Sequence, residues 1–125
     1  MDIRKDITYI SQNEILFNDT IYNNLVFEDS NSSNLLEITK MCFIDKIIDN
    51  NLGFNMLIEE NGFNLSGGER QRIVLGRFLL KKFNILIIDE GLNQVDISLE
   101  RKILKNMFKK FKDKTIIVIS HRLDN

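Results

Sequence analysis

The stretch 64–72 contains residues whose types and spacing suit phosphate binding at the start of a helix. Ser66 is a favourable N-cap residue, and Glu69 three positions later completes a capping box. Gly67 and Gly68 have no side chains that would keep another molecule from the first free backbone N–H groups. The positive end of a helix beside a serine hydroxyl is a ready site for a phosphate. The alternative is an ordinary capped helix whose glycines only form a turn.

A second group of polar residues follows three predicted strands, at the point where each strand ends. These residues are Gln12, the pair Asp89-Glu90, and His121. Ligands of open parallel sheets bind outside the carboxyl ends of the strands, so the four side chains are expected to converge. Carboxylate and amide oxygens suit Mg²⁺, and an attacking water needs a base. The residues alone therefore predict Mg-dependent phosphoryl transfer. Each also has a structural alternative as a turn-capping acid, a surface charge, a loop amide or a bystander imidazole.

The strands that carry these residues are predicted from short runs rich in β-branched residues, at 7–10, 84–88 and 115–119. The last two runs are apolar without alternation, which is typical of strands buried on both faces of a parallel sheet. Between them lies an amphipathic helix. Its apolar residues are Ile103, Leu104, Met107, Phe108 and Phe111. Strand, helix and strand over this length predict a right-handed βαβ unit.

The segment between the first strand and residue 82 is predicted to be mostly helical. Short polar pairs mark two helix starts, Asp19-Thr20 before residues 21–27 and Ser32-Ser33 before a helix that reaches Met41. Helical spacing continues at Phe43, Ile44, Ile47 and Ile48. A further helix is expected from Ser66 to about residue 81. Gly76 inside it costs about 1 kcal/mol relative to Ala unless a neighbouring element packs close.

Composition excludes several classes of function. With 125 residues, of which 43% are hydrophobic, the chain can form one domain or a large piece of one. A net charge of −1 lacks the basic surplus of a nucleic-acid binder. The single Cys and single His exclude a disulfide framework and a Cys-based or His-rich metal site, and Cys42 is expected in the core. No apolar run approaches the roughly 20 residues needed to span a bilayer. The chain is therefore expected to be soluble and cytosolic.

Residues 65–71, Leu-Ser-Gly-Gly-Glu-Arg-Gln, resemble the signature motif of ATP-binding-cassette (ABC) ATPases. Residues 7–12 resemble the family's Q-loop, with Ser11 where proline is common. Residues 84–90 resemble its Walker B strand and catalytic glutamate, and the motifs stand in the family's order. The implied fold is an α/β, partial P-loop NTPase with a parallel sheet and an inserted helical subdomain. The helical subdomain would span 13–82, and the core strands would lie in 1–12 and 83–125.

The resemblance also implies ATP and Mg²⁺ as cofactors and a role for each residue. Asp89 and Gln12 would hold Mg²⁺. Glu90 would be the general base, and His121, which resembles the switch histidine, would contact the γ-phosphate. The cofactor-binding positions would be Gln12, Ser66, Gly67, Gly68, Glu69 and Asp96. Ser66 and Gly68 would reach ATP held by a second nucleotide-binding domain in a head-to-tail dimer, and Asp96, in a loop that departs from the usual small residues, would lie at that interface.

The segment Glu14–Ile21, together with Glu60, is similar to the exporter branch of the family, in which the helical subdomain docks on a transmembrane domain. This resemblance implies ATP hydrolysis coupled to export at the cytoplasmic face of the membrane, with no nucleic-acid partner. The sequence contains no G-x-x-x-x-G-K-[ST] motif, so the chain alone is expected to be inactive. Uncovered strands and helix faces would make it associate.

Two alternatives of other kinds stay open. One is a truncated, non-catalytic cassette that supplies its signature face in trans to a complete partner. The other is a soluble ABC ATPase of the DNA-repair or translation kind, against which the neutral charge and the exporter-like segment argue.

Overall fold

The computed structural model describes residues 7–27, 30–48 and 51–122 of the chain. The strands are β1 (Ile7–Ser11), β2 (Asp19–Thr20), β3 (Leu57–Ile58), β4 (Ile85–Asp89) and β5 (Thr115–Ile119). The α-helices are α1 (Ile21–Leu25), α2 (Leu35–Met41), α3 (Gly67–Leu79) and α4 (Ile97–Lys110). Short 3-10 turns lie at Ser32–Asn34, Ile44–Lys46, Gly53–Asn55 and Glu60–Gly62. None of the helices described here is long and apolar enough to cross a membrane.

Three parallel strands form the main sheet, in the order β1, β4, β5. Ile10 is paired with Ile88, and Ile88 is paired with Val118. Helix α4 connects β4 to β5, so these elements form the strand-helix-strand unit that the sequence predicts. The α/β class with a parallel sheet is confirmed. The carboxyl ends of all three strands lie at one edge of the sheet.

The two faces of the main sheet differ in burial. On one face Ile10 and Ile88 are each 1% exposed. On the other face Tyr9 is 49% exposed, Ile117 is 45% exposed and Ile119 is 44% exposed. The prediction that the last strand is buried on both faces is wrong, because no element in the described ranges covers this second face. We call the exposed side, formed by Tyr9, Ile117, Ile119 and their neighbours, the open face.

Helix α3 packs at the centre of the helical part, and its start is as predicted. Ser66 is the N-cap, and the last turn ends at Leu80, close to the expected position. A Cβ atom on Gly76 would lie 2.7 Å from Cδ1 of Ile44 and 3.2 Å from Cδ2 of Leu25. Neighbouring side chains therefore pack close to Gly76, and this accounts for a glycine inside the helix.

A buried polar pair joins α1 to α3. Asn24 is 0% exposed and Arg77 is 4% exposed. The Nε of Arg77 donates to the Asn24 carbonyl at 2.9 Å, and its Nη1 donates to the Ile15 carbonyl at 2.9 Å. The Asn24 carboxamide accepts from the Phe17 N–H at 2.7 Å and donates to the Phe17 carbonyl at 3.0 Å. These bonds fix the segment after β1 against α3.

The helices before α3 are shorter and more interrupted than predicted. The second helical segment begins at Asn31, whose side chain accepts from the Ser33 N–H in a 3-10 turn; neither Ser32 nor Ser33 caps the α-helix. Phe43 has a left-handed φ of 57°, which ends the helical path after α2. An antiparallel pair of β2 and β3 lies in the segment that was predicted to be mostly helical. Phe108, expected on the apolar face of α4, is 50% exposed.

Candidate active site

The carboxyl edge of the main sheet gathers the polar residues that the sequence places there. Gln12 follows β1, Asp89 ends β4 and precedes Glu90, and His121 comes two residues after β5. Because β4 pairs in parallel with both neighbours, the three strand ends lie side by side. This is the edge at which open α/β sheets bind their ligands.

Glu90 and His121 lie against each other across the ends of β4 and β5. The His121 Nε2 is 3.3 Å from the Glu90 Oε1. The Glu90 side chain is only 17% exposed, whereas that of His121 is 93% exposed. Glu90 has a left-handed φ of 58°. This conformation costs a non-glycine residue on the order of 1–3 kcal/mol and is concentrated at functional sites.

One oxygen of the Glu90 carboxylate lacks a well-formed hydrogen bond. This Oε1 atom is buried, and although the His121 Nε2 lies 3.3 Å away, it accepts no hydrogen bond in the part of the chain that the structure describes. Buried polar atoms are rarely left without a partner unless a ligand, a water or a function accounts for them. The arrangement suits a carboxylate that takes a proton from a bound hydroxyl or water beside the His121 ring.

Asp89 lies on the open face and has a partner that the sequence did not reveal. The hydroxyl of Tyr9 donates a short hydrogen bond to Asp89 Oδ2. This bond, with Asp89 as acceptor, raises the pKa of the Tyr9 hydroxyl. Tyr9 pairs with Ile87, so it lies diagonally across from Asp89 on the same face of the sheet.

The start of α3 forms the predicted capping box. The Ser66 hydroxyl accepts from the Glu69 N–H at 3.1 Å, and the Glu69 carboxylate accepts from the Ser66 N–H at 2.9 Å. The carboxylate of Glu69 therefore holds the helix start. The N–H groups of Gly67 and Gly68 belong to the first turn, which has no intrahelical acceptors for them.

The two glycines also make room for the chain's own loop. A Cβ atom on Gly67 would lie 1.5 Å from Oε1 of Gln94, and one on Gly68 would lie 2.9 Å from the Gln94 carbonyl oxygen. The sequence indicated access for another molecule as the reason for these glycines. The fold adds a second reason, because residues 91–96, the β4–α4 loop, pack directly on the first turn of α3.

Asp96 ends the β4–α4 loop as the N-cap of α4, where it accepts from the Leu99 N–H at 3.2 Å. Arg122 holds this loop from the other side. Its guanidinium donates to the carbonyls of Asn93 and Val95, and it pairs with Glu100 at 3.0 Å. Burial raises the pKa of the Glu100 carboxyl, and the adjacent Arg122 opposes that shift.

The residues expected to hold Mg²⁺ fit an oxygen-ligated cation. Asp89 presents a carboxylate at the sheet edge and Gln12 presents an exposed carboxamide, whose Oε1 is 3.5 Å from the Asn93 Nδ2. Within 7–27, 30–48 and 51–122, no group of three or more His, Cys, Asp or Glu side chains is placed to hold a metal. Mg²⁺ is commonly held by one or two protein ligands, with waters and phosphates completing its coordination.

Comparison with known proteins identifies the family. Residues 1–93 match the family described as ABC transporter. The chain belongs to the ABC transporter family. Its α/β fold is also that of a bacterial Atm1-family ABC exporter with ATP bound, with a TM-score of 0.85 and 33% identity. That match covers 96% of this chain and 22% of the exporter chain.

Relatives in the ABC transporter family include exporters. The chain is 41% identical to the ATP-dependent lipid A-core flippase of Aliivibrio fischeri, over 98% of this chain and 22% of the flippase. It is 38% identical to the Lactococcin-G-processing and transport ATP-binding protein of Lactococcus lactis, over 97% of this chain and 18% of that protein. The chain thus spans about a fifth of the length of these relatives. It belongs to an exporter-like ABC nucleotide-binding domain.

Proposed function

We propose that this chain is part of the ATP-hydrolysing domain of an ABC exporter and couples ATP hydrolysis to transport across a membrane. The observation that carries the proposal is the contact between Glu90 and His121 at the carboxyl edge of the sheet, the edge at which β4 ends in Asp89 and β1 is followed by Gln12. A strained, largely buried carboxylate in contact with an imidazole is an arrangement that suits proton transfer.

In this proposal the residues at the carboxyl edge divide metal binding, proton transfer and phosphate contact among them. Asp89 and Gln12 hold Mg²⁺ through their side-chain oxygens. Glu90 accepts a proton from the attacking water, and His121 orients the carboxylate and contacts the γ-phosphate. When bound, Mg²⁺ neutralises negative charge on the phosphates.

The start of α3 would serve a second nucleotide. Ser66, Gly67 and Gly68 bind phosphate of ATP held by a second nucleotide-binding domain, arranged head to tail with this one. Glu69 supports them through the capping box, and Asp96 lies at the same interface. Support comes from the N–H groups of the first turn, which have no intrahelical acceptors.

The domain's partner at the membrane would be a transmembrane domain, and the site of action would be the cytoplasmic face. Residues 13–82 would form the helical subdomain, with core strands before and after it. At the start of this segment, between residues 15 and 22, three large side chains are exposed: Ile15 at 53%, Phe17 at 47% and Tyr22 at 40%. An exposed apolar group of this kind, with its backbone fixed by buried Arg77, suits a docking surface.

A chimera tests the function. This chain replaces the matching segment of the Aliivibrio fischeri lipid A-core flippase, and the purified chimera is assayed in lipid vesicles for Mg-dependent ATP hydrolysis and for lipid movement. We expect both activities, with Asp89→Asn losing Mg-dependent hydrolysis and the exposed α4 variant Lys102→Ala keeping it. A folded, vesicle-inserted chimera without ATP hydrolysis would contradict the proposal. The 125-residue chain alone should hydrolyse no ATP, because its sequence contains no phosphate-binding G-x-x-x-x-G-K-[ST] motif.

A further inference from the structure

Gln71 is a buried glutamine whose carboxamide bonds to the β4–α4 loop through both its nitrogen and its oxygen. It lies one turn into α3 and is 7% exposed. Its Nε2 donates to the Asn93 Oδ1 at 2.7 Å, and its Oε1 accepts from the Gln94 N–H at 2.8 Å. One side chain therefore grips two successive residues of the loop, and both bonds have good lengths.

The loop held by Gln71 has little freedom to shift toward the helix. A Cβ atom on Gly68 would lie 2.9 Å from the Gln94 carbonyl oxygen and 3.3 Å from the Val95 Cα. The backbone of the loop thus touches the backbone of the first turn of α3. Movement of the loop away from the helix would break the two bonds of the Gln71 carboxamide, leaving buried polar atoms unpaired.

Asn93 connects the loop held by Gln71 to residues at the carboxyl edge of the sheet. Its Nδ2 faces the Gln12 Oε1 at 3.5 Å, and its carbonyl accepts from the Arg122 guanidinium. Arg122 directly follows His121, which lies against Glu90. A continuous set of contacts therefore runs from Gln71 in α3, through Asn93, to the residues on both sides of the carboxyl edge.

We propose that Gln71 is a positioning residue that sets the start of α3 and the carboxyl edge in one fixed relative geometry by holding the β4–α4 loop through Asn93. The proposal rests on the proposed ATP hydrolysis, and it deepens that function. Gln71 itself touches no reacting group. Its loss should therefore lower kcat, because loop and edge lose their alignment, while the KM for ATP changes little.

Kinetics of the flippase chimera test the proposal. Gln71→Leu removes both hydrogen bonds with little change of volume. We expect kcat to fall at least about tenfold and the KM for ATP to stay within about threefold of the parent. The matched control is Asn106→Leu, which removes an amide-to-backbone bond between Asn106 and the Met41 carbonyl, away from the edge. It should keep the parental kcat.

A double variant separates positioning from general destabilisation. If Gln71 acts through Asn93, then Gln71→Leu combined with Asn93→Leu should be about as slow as the slower single variant. Multiplicative losses, or an equal loss of kcat in Asn106→Leu, would overturn the proposal. The proposed function fails separately, if Glu90→Gln leaves hydrolysis at the parental rate.

Hydrogen exchange of the full 125-residue chain gives a readout that needs no activity. The Gln94 amide is bound by Gln71, so its exchange should be at least about tenfold faster in Gln71→Leu than in the parent. The Asn106→Leu chain should keep the parental exchange at Gln94. Unchanged protection of the Gln94 amide in Gln71→Leu would show that Gln71 does not hold the loop.

Discussion

Substitutions at Arg77 test whether the shape of its guanidinium group or only its positive charge holds the helical part to the segment after β1. This buried guanidinium donates to the carbonyls of Asn24 and Ile15 and to the Asn24 Oδ1 at 3.3 Å. It also lies 5.2 Å from the ring centroids of Phe17 and Phe27. Arg77→Lys keeps the charge, but a single ammonium cannot serve acceptors on two segments as the rigid fork does.

The cost of Arg77→Lys follows from the acceptors that lose their donor. Each partly buried acceptor left unpaired costs about 1–3 kcal/mol, and a weakened cation–π contact about 0.5–1 kcal/mol. With one or two acceptors unpaired, we expect a loss of about 3 kcal/mol of unfolding free energy. That is a large part of the roughly 5–15 kcal/mol that stabilises a typical domain. At ordinary urea m-values of about 1–3 kcal/mol/M, it shifts the unfolding midpoint by about 1–3 M.

The assay is proteolysis of the chain after equilibration in increasing urea, at concentrations low enough to suppress association. Arg77→Lys and Arg77→Leu should both show the shift, whereas Arg101→Lys on the exposed side of α4 should match the parent. A midpoint for Arg77→Lys within about 0.3 M of the parent, with Arg77→Leu strongly destabilised, would mean that charge alone matters and that the fork argument is mistaken.

Three further predictions follow from other parts of the fold. Gly76→Val should destabilise the chain by about 3 kcal/mol or more, because its side chain would overlap Ile44, and the same urea assay measures this. Ile119→Thr on the open face should reduce self-association in sedimentation velocity, and it should lower the free energy of unfolding by no more than about 1 kcal/mol. The folded chain binds the Glu100 proton more tightly than the unfolded chain, since burial raises its pKa above the ordinary 4.5. The contribution of Glu100 to the stability of the folded chain should therefore be lost as pH rises above about 4.5, and Glu100→Gln should remove that contribution from the profile of urea midpoint against pH.

Local signals predicted the parts of the site that depend on neighbours in the sequence. The capping box of Ser66 and Glu69 needs residues three positions apart, and both of its bonds form. The strand-helix-strand unit of β4, α4 and β5 follows from apolar runs, the helical spacing between them and the rule for parallel crossovers. Both features could be predicted because they depend on residues close together in the sequence or on a general rule of topology.

The features that the sequence did not predict depend on contacts between distant residues. Tyr9 and Asp89 are 80 positions apart, and Gln71 and Asn93 are 22 apart, so no local pattern pairs them. The exposure of Ile119 was also missed. An apolar run indicates the ability to be buried, whereas actual burial depends on what covers that face, and no described element does.

The early end of the helical path after α2 has a different cause. Spacing alone extended the helix through Phe43, but a single left-handed residue redirects the chain there. A large aromatic residue in that conformation is uncommon, so propensity gives no warning of it. Ser33 likewise resembled a helix N-cap in the sequence. In the structure its N–H donates to the side chain of Asn31, which caps the 3-10 turn instead.

The most direct test of the central claim is the rate of phosphate release from saturating Mg-ATP by the flippase chimera carrying Glu90→Gln. If the carboxyl edge of the sheet is the hydrolytic site, the substitution removes the base that receives the proton, and the rate should fall at least about 100-fold while bound ATP is retained. A Glu90→Gln chimera that hydrolyses ATP within about threefold of the parent rate would contradict the assignment of this edge as the active site.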